Sequence, residues 1–134
     1  MDRLRVVTGL AAAALLAACA GHRFEDESDL ETAHLRFRLP RTGWESEVVP
    51  ARRGEVGIVE VPGGDAVGGL ELEMEFSVEA ISAGSAHVLF RPADALAWPS
   101  REECVRCSPG GWTPSPWTNA DLERVEVALV AVAR

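Results

Sequence analysis

Two cysteines separated by two residues could do more chemistry than any other pair of side chains in this sequence. Cys104 and Cys107 enclose Val105 and Arg106. Such a pair can close a disulfide, exchange electrons with a substrate thiol, or supply two of the four ligands of a zinc ion. Attachment of c-type haem is excluded, because Ser108 stands where that motif requires histidine.

The residues around this pair give little support to metal binding or redox exchange. A zinc site needs two further ligands, and His22, His34 and His87 all lie far away in the sequence. A thioredoxin-like pair is expected within a βαβ unit, whereas no strand pattern of this chain is followed by a long helical pattern. A structural disulfide between Cys104 and Cys107 is the third interpretation, and it depends on where the protein is located.

The cysteine pair belongs to a segment rich in proline and tryptophan, residues 92–120. We predict one long irregular loop here, because five prolines interrupt regular structure. Exposed tryptophans in such a loop can stack on sugar rings or anchor a partner protein. The candidate binding residues are Trp98, Trp112 and Trp117. The alternative is that these side chains cover the open end of a small domain.

Four glutamates alternate with apolar residues near the middle of the chain, and carboxylates in a row could act as acid and base or bind calcium. They are Glu71, Glu73, Glu75 and Glu79. On a strand, side chains of one face are about 6.6 Å apart, which spreads carboxylates instead of converging them on one ion. We therefore predict a solvated outer face.

Composition and motifs argue against several functional classes. The net charge of −8 disfavours nucleic acid and direct adhesion to anionic lipid, since both need clustered positive charge. The sequence contains no GxSxG, HExxH, phosphate loop or dinucleotide fingerprint. We expect no enzymatic activity, no catalytic residue, no metal site and no cofactor.

The N-terminus has the pattern of a secretory signal peptide. Arg3 and Arg5 precede an apolar run at residues 6–18, which ends in small residues. As a helix, this run would span roughly 20 Å, well short of the roughly 30 Å hydrocarbon core of a bilayer. We predict a signal peptide over residues 1–18.

The end of this run, Leu16-Ala17-Ala18-Cys19, resembles the lipobox of bacterial lipoproteins. The resemblance implies cleavage before Cys19, a diacylglyceryl group on its sulfur, and acylation of the new amine, for example with palmitate. Two or more acyl chains hold a protein stably at a membrane. The location implied is the bacterial cell envelope, with lipid as the anchor. Ala20, in place of aspartate, favours the outer membrane over the inner one.

Export favours the disulfide among the three interpretations of the cysteine pair, because the envelope is oxidising. Pairing Cys104 with Cys107 also accounts for the odd number of cysteines, since lipidation uses Cys19.

Beyond Cys19 the chain is polar and acidic up to Thr32, without periodicity, so we predict a flexible tether over residues 19–32. A folded domain is predicted over residues 33–134.

Period-two alternation of apolar and polar residues dominates that domain and predicts strands. Leu35, Phe37 and Leu39 share one face of the first strand. In the clearest run the apolar positions are Leu70, Leu72, Met74, Phe76, Val78 and Ala80. Further strands are predicted at residues 44–49, 56–61 and 86–91. The alternation slips at Ile58 and Val59, which predicts a bulge.

The C-terminal segment fits a helical stripe as well as a strand. Its valines favour a strand, because β-branched side chains suit a pleated surface. The valines are Val125, Val127, Val130 and Val132. We predict that this strand is apolar on both faces towards its end.

Residues 115–131, SPWTNADLERVEVALVA, are similar to the closing segment of jelly-roll modules of the lectin or galactose-binding-like kind. The similarity implies a sandwich and carries no ligand with it. The fold predicted is an all-β antiparallel sandwich, jelly-roll-like, with six to eight strands and one long loop rich in cysteine, tryptophan and proline.

Our first functional hypothesis is a non-enzymatic lipoprotein that binds or supports an envelope component through residues 92–120. The second is an accessory subunit of an envelope secretion, assembly or motility complex, contacted at a sheet edge. The third is a carbohydrate-binding module. The partners expected are the membrane, through the lipid, and an envelope protein or a glycan.

Overall fold

The computed structural model describes residues 26–91 and 103–134, and these form an antiparallel β-sandwich. Cys19, Trp98 and the predicted signal peptide lie outside the described residues. The strands are β1 (Thr32–Leu39), β2 (Trp44–Glu45), β3 (Val49–Arg52), β4 (Val56–Pro62), β5 (Glu71–Ser82), β6 (Ser85–Arg91), β7 (Glu103–Cys107), β8 (Thr113–Thr118) and β9 (Arg124–Ala133). The predicted all-β sandwich is confirmed, with nine strands.

The strands divide into a sheet of five and a sheet of four. The first sheet has the order β2-β1-β9-β8, and β3 also pairs with β1. The second sheet has the order β4-β5-β6-β7, so consecutive strands are neighbours. That order is a meander, whereas a jelly roll is built from Greek keys, so the finer jelly-roll part of the prediction is corrected.

The core lies between the sheets and follows from the alternation. Leu35, Phe37 and Leu39 of β1 are fully buried, as predicted. Phe37 reaches across to the second sheet, with its ring centroid 5.1 Å from that of Phe76 and 6.4 Å from that of Phe90. Burying such a side chain contributes about 1.5–3 kcal/mol, so these rings tie the two sheets together.

The bulge lies in a different strand from the one predicted. The β4–β5 register runs without interruption through Ile58 and Val59, so the predicted bulge is wrong. Ile58 is an exposed apolar residue on the outer face. The register of β5 against β6 shifts between Val78 and Ala80, and Ile81 faces the core in place of Ala80.

The C-terminal segment is a strand, as predicted, and it is central, between β1 and β8. The β1–β9 register shifts beside His34 and Leu35, which pair with Ala131 and Leu129. Val130 is therefore the extra residue of a bulge, and 48% of its surface is exposed. The expectation of burial on both faces fails at this position.

The predicted loop over residues 92–120 contains two strands, β7 and β8. Pro114 and Pro116 lie within β8, which is an edge strand of its sheet. An edge strand accommodates proline because one of its sides needs no backbone donor. The single long loop is thus a wrong prediction for the described residues, 103–120.

The last part of the predicted tether is bound to the sandwich. Arg53 joins it there, with Nη1 2.6 Å from Asp26 Oδ1 and Nη2 donating to the carbonyls of Glu27 and Leu30. The Glu27 N–H donates to Ile81 O at 2.7 Å. Leu30 joins the core. The predicted flexibility is therefore wrong for residues 26–32, the described part of the segment 19–32.

No helix in the described ranges is both long and apolar enough to cross a membrane.

Candidate functional site

The predicted disulfide between Cys104 and Cys107 is wrong. Cys107 is a free cysteine, fully buried in the core. Both residues lie on one strand, where Cys104 pairs with Leu89 and Cys107 with Ala86. Three residues along a strand span about 10 Å, and the side chains of residues three apart point to opposite faces. A disulfide needs Cα atoms closer than about 7 Å.

The Cys107 thiol is chemically inert in this setting. Its Sγ donates to Ala86 O at 3.5 Å, and burial raises the pKa of Cys107 to about 12. We expect iodoacetamide at pH 8 to leave Cys107 unmodified in the native protein and to modify it fully after denaturation, because only the thiolate reacts. Peptide mass spectrometry measures this. Equal modification rates in the two states would contradict the burial of Cys107.

The two described candidate tryptophans have different environments. Trp117 is the largest fully buried side chain of the core, so its prediction as a loop binding residue is wrong. Trp112 is half-buried, and the Arg38 guanidinium carbon lies 4.4 Å from its ring centroid. This cation–π contact occupies one face of the indole. Arg38 therefore competes with any ligand for that face of Trp112.

The glutamate row faces solvent at Glu71 and Glu73, as predicted. A hydrogen bond with Glu60 and the like charge of that carboxylate raise the pKa of Glu71. The glutamate row is in β5, whereas the arginines of β1 are in the five-stranded sheet and are not its cross-strand neighbours. Arg36 pairs instead with Glu45, with Nη2 2.8 Å from Oε1. In residues 26–91 and 103–134, no three histidine, cysteine or acidic side chains are grouped as metal ligands would be.

Three connections between strands meet at one end of the sandwich, and we call this end the tip. It consists of residues 41–43 after β1, residues 63–70 between β4 and β5, and residues 119–123 between β8 and β9. The described N-terminal segment is at the other end, because Glu27 bonds to Ile81, near the end of β5. β5 has 12 residues, so the two ends are roughly 35 Å apart.

Asn119 and Asp121 fasten the connection before β9 to its neighbours. Asn119 Oδ1 accepts hydrogen bonds from the N–H groups of Asp121 and Glu123, at 3.0 and 2.9 Å. The Asp121 carboxylate accepts from the N–H groups of Asp65 and Ala66, at 2.8 and 2.9 Å. Two connections distant in sequence therefore form one rigid unit.

Gly64 permits this contact. Its φ is +93°, and a Cβ atom at this position would lie 2.3 Å from Asp121 Oδ2. Only glycine satisfies both constraints.

Glu123 joins the third connection to the unit. Its Oε2 accepts from the N–H groups of Arg41 and Thr42, at 2.5 and 2.9 Å, and its Oε1 accepts from the Thr42 hydroxyl. Burial by itself would raise the pKa of Glu123, but the hydrogen bonds from Thr42 and Arg41 outweigh it and hold the pKa below its ordinary value. The buried residue is therefore an ionised carboxylate at neutral pH.

Leu122 lies between Asp121 and Glu123, and it is unusual in both its backbone conformation and its exposure. Its φ is +63°, a conformation that costs a non-glycine residue about 1–2 kcal/mol. It also exposes 80% of its surface to solvent. Its N–H donates to Asn119 O at 3.0 Å, so the strained conformation is fixed.

The comparisons with known proteins found no match for this chain: no family model, no curated protein and no solved structure.

The tip presents rigid backbone, exposed leucines and exposed carboxylates. These features suit contact with another molecule. The glycines at positions 43, 63 and 64 signal two turns of the tip in the sequence, each by itself. The pair Asn119 and Asp121, both turn formers with acceptor side chains, was the signal that could have joined them.

Proposed function

We propose that this protein is a lipid-anchored lipoprotein of the bacterial cell envelope, with a non-enzymatic binding or structural role. The observation that carries the proposal is the lipobox at Leu16-Ala17-Ala18-Cys19, behind a charged and apolar leader. The outer membrane is the membrane proposed, because Ala20 follows the cysteine.

The fixed position of Asp26 supports a particular orientation for such an anchored domain. Asp26 is seven positions after Cys19 in the sequence, and seven residue steps reach at most roughly 25 Å. The Asp26 carboxylate is bound to Arg53 and to the N–H of Ile81. An anchor on Cys19 would thus hold the Ile81 end of the sandwich near the membrane and leave the tip facing away.

The contact surface of this proposal is the tip. Among the described residues of this segment, 103–120, Trp117 belongs to the core and Trp112 is covered on one face by Arg38. The tip carries the two most exposed large apolar side chains of the described residues, Leu122 and Leu70.

Fatty-acid labelling tests the anchor. Cells that express the protein with a labelled palmitate analogue are expected to yield labelled protein, and Cys19→Ser should lose the label entirely, because the thioether cannot form. Cys107→Ala is the matched control: it removes a buried thiol and should keep the label. Label on the Cys19→Ser protein, or its absence from the unaltered protein, would refute the proposal.

A second candidate is favoured by the edge strand β4. Val56 and Ile58 are two residues apart, so both side chains lie on its outer face, where they expose 56% and 52% of their surfaces. An exposed apolar edge is a template for pairing with a strand of another chain. We infer from it the alternative of an accessory subunit in an envelope complex, joined through β4.

A further inference from the structure

Leu122 and Leu70 lie on two neighbouring connections of the tip. Gly63 connects them, because its N–H donates to Leu70 O at 2.8 Å and its carbonyl accepts from Ala120 N at 3.0 Å. Leu122 exposes 80% of its surface and Leu70 exposes 68%. Exposed leucines are common singly, whereas these two add apolar surface to neighbouring, hydrogen-bonded connections.

The backbone on both sides of Leu122 is fixed by hydrogen bonds, as is typical of a residue that anchors an interface. Asp121 and Glu123, on either side of it, bind neighbouring connections through their carboxylates. The backbone at Leu122 therefore has little conformational freedom left to lose on binding, and this preorganisation favours affinity. Glycine or asparagine would suit a φ of +63° better than leucine does. The strained backbone and the exposed side chain of Leu122 do not stabilise the fold, so we infer that this residue serves binding.

The charge around these leucines indicates the chemistry of the partner. Four exposed carboxylates lie at this end: Glu60, Asp65, Glu71 and Asp121. Arg41 and Arg124 are exposed at the same end, and the Arg124 guanidinium donates to Ser115 O. A second copy of the tip would bring carboxylate against carboxylate, and an anionic lipid surface would be repelled.

We propose that the tip docks into a protein partner whose surface has an apolar pocket bordered by lysine or arginine. Leu122 would enter the pocket, with Leu70 beside it and the carboxylates facing the basic border. The inference rests on the proposed function, since anchorage at Cys19 is what turns the tip away from the membrane. Apolar anchors surrounded by a charged rim are the usual anatomy of protein interfaces.

Photo-cross-linking in the intact envelope tests this inference. The full-length protein would carry a benzophenone amino acid in place of Leu122. The expected product is a cross-link to one envelope protein, with apolar residues beside lysine or arginine in the cross-linked peptide. Adding Leu70→Asn should reduce the yield about tenfold. Adding Glu60→Gln with Glu71→Gln should reduce it severalfold, because the attraction to the basic border is weakened.

Leu122→Asn supplies an independent measurement that does not depend on the probe. Asparagine tolerates positive φ, so this variant should fold with an unchanged or higher melting temperature. Its co-purification with the cross-linked partner should fall at least about tenfold. An exposed control, Val48→Asn, lies in the segment between β2 and β3 and should leave co-purification unchanged.

Several outcomes would overturn the inference. They are cross-links to lipid or to a second copy, the absence of any cross-link at position 122, and a yield that the Leu70 and glutamate variants leave unchanged. A cross-link from position 58 but not from 122 would transfer the contact to β4 and also overturn it. Fatty-acid labelling of the same cells separates the two proposals. Absence of label from the protein with an intact Cys19 refutes the anchor, whatever the cross-link shows.

Discussion

Trp117→Ala is expected to lower the free energy of unfolding by about 3–5 kcal/mol, the largest effect we expect from any single change. Trp117 is fully buried and belongs to the same core cluster as Phe37 and Phe76. Alanine would leave a cavity of nearly the whole indole. A domain of this size has a total stability of about 5–15 kcal/mol, so this loss is a large fraction of it.

Urea denaturation followed by circular dichroism measures this effect, and two variants calibrate it. Trp112→Ala removes a half-buried indole and one cation–π contact, so it should cost only about 1 kcal/mol. Trp117→Phe should cost less than Trp117→Ala, because the indole Nε1 makes no hydrogen bond among the described residues. If Trp117→Ala and Trp112→Ala were equally mild, Trp117 would be a surface residue, as the sequence first suggested.

The strands and the core face were predictable because their cause is local. Met74, Phe76 and Val78 alternate with polar residues, and burial of one face of a strand has the same period. The prediction failed where a single residue changed the register. The shift between Val78 and Ala80 sends Ile81 into the core, and nothing in the alternation of residues 70–80 announces it.

The loop prediction was wrong for residues 103–120 because composition does not reveal strand position. Proline excludes the centre of a sheet but not its edge, and β8 is an edge strand. The spacing of Cys104 and Cys107 suits a disulfide only in a turn. In the extended strand β7 the same spacing separates the two side chains.

The tip could not be predicted because its parts are distant in sequence. Asp121 bonds to backbone 55 and 56 residues away, and Glu123 bonds to backbone 81 and 82 residues away. The glycines in two turns of the tip and Asn119 in the third indicate each turn separately in the sequence. Which turns meet is decided by the pairing of β1 with β9 and by the packing of the sheets.

Glu123→Gln is expected to lower the free energy of unfolding at pH 7 by about 1–3 kcal/mol, because the hydrogen bonds from Arg41 and Thr42 lose their ionised acceptor. The low pKa of Glu123 in the folded state fixes the pH dependence. Its stabilisation is fully present above the ordinary pKa of a glutamate and disappears as the pH falls through the lower folded value. The difference between the two proteins should therefore be constant from pH 7 to about pH 5 and shrink below that.

Urea denaturation between pH 7 and pH 3 tests this linkage, with Glu47→Gln as the matched control. Glu47 is exposed, so its amide variant should stay within about 0.5 kcal/mol of the unaltered protein throughout the range. A difference for Glu123→Gln that stays constant down to pH 3 would mean that the charge of Glu123 contributes nothing. A difference that shrinks would show that an ionised carboxylate holds the β1–β2 turn to the connection that presents Leu122, so acidification should also weaken docking at the tip.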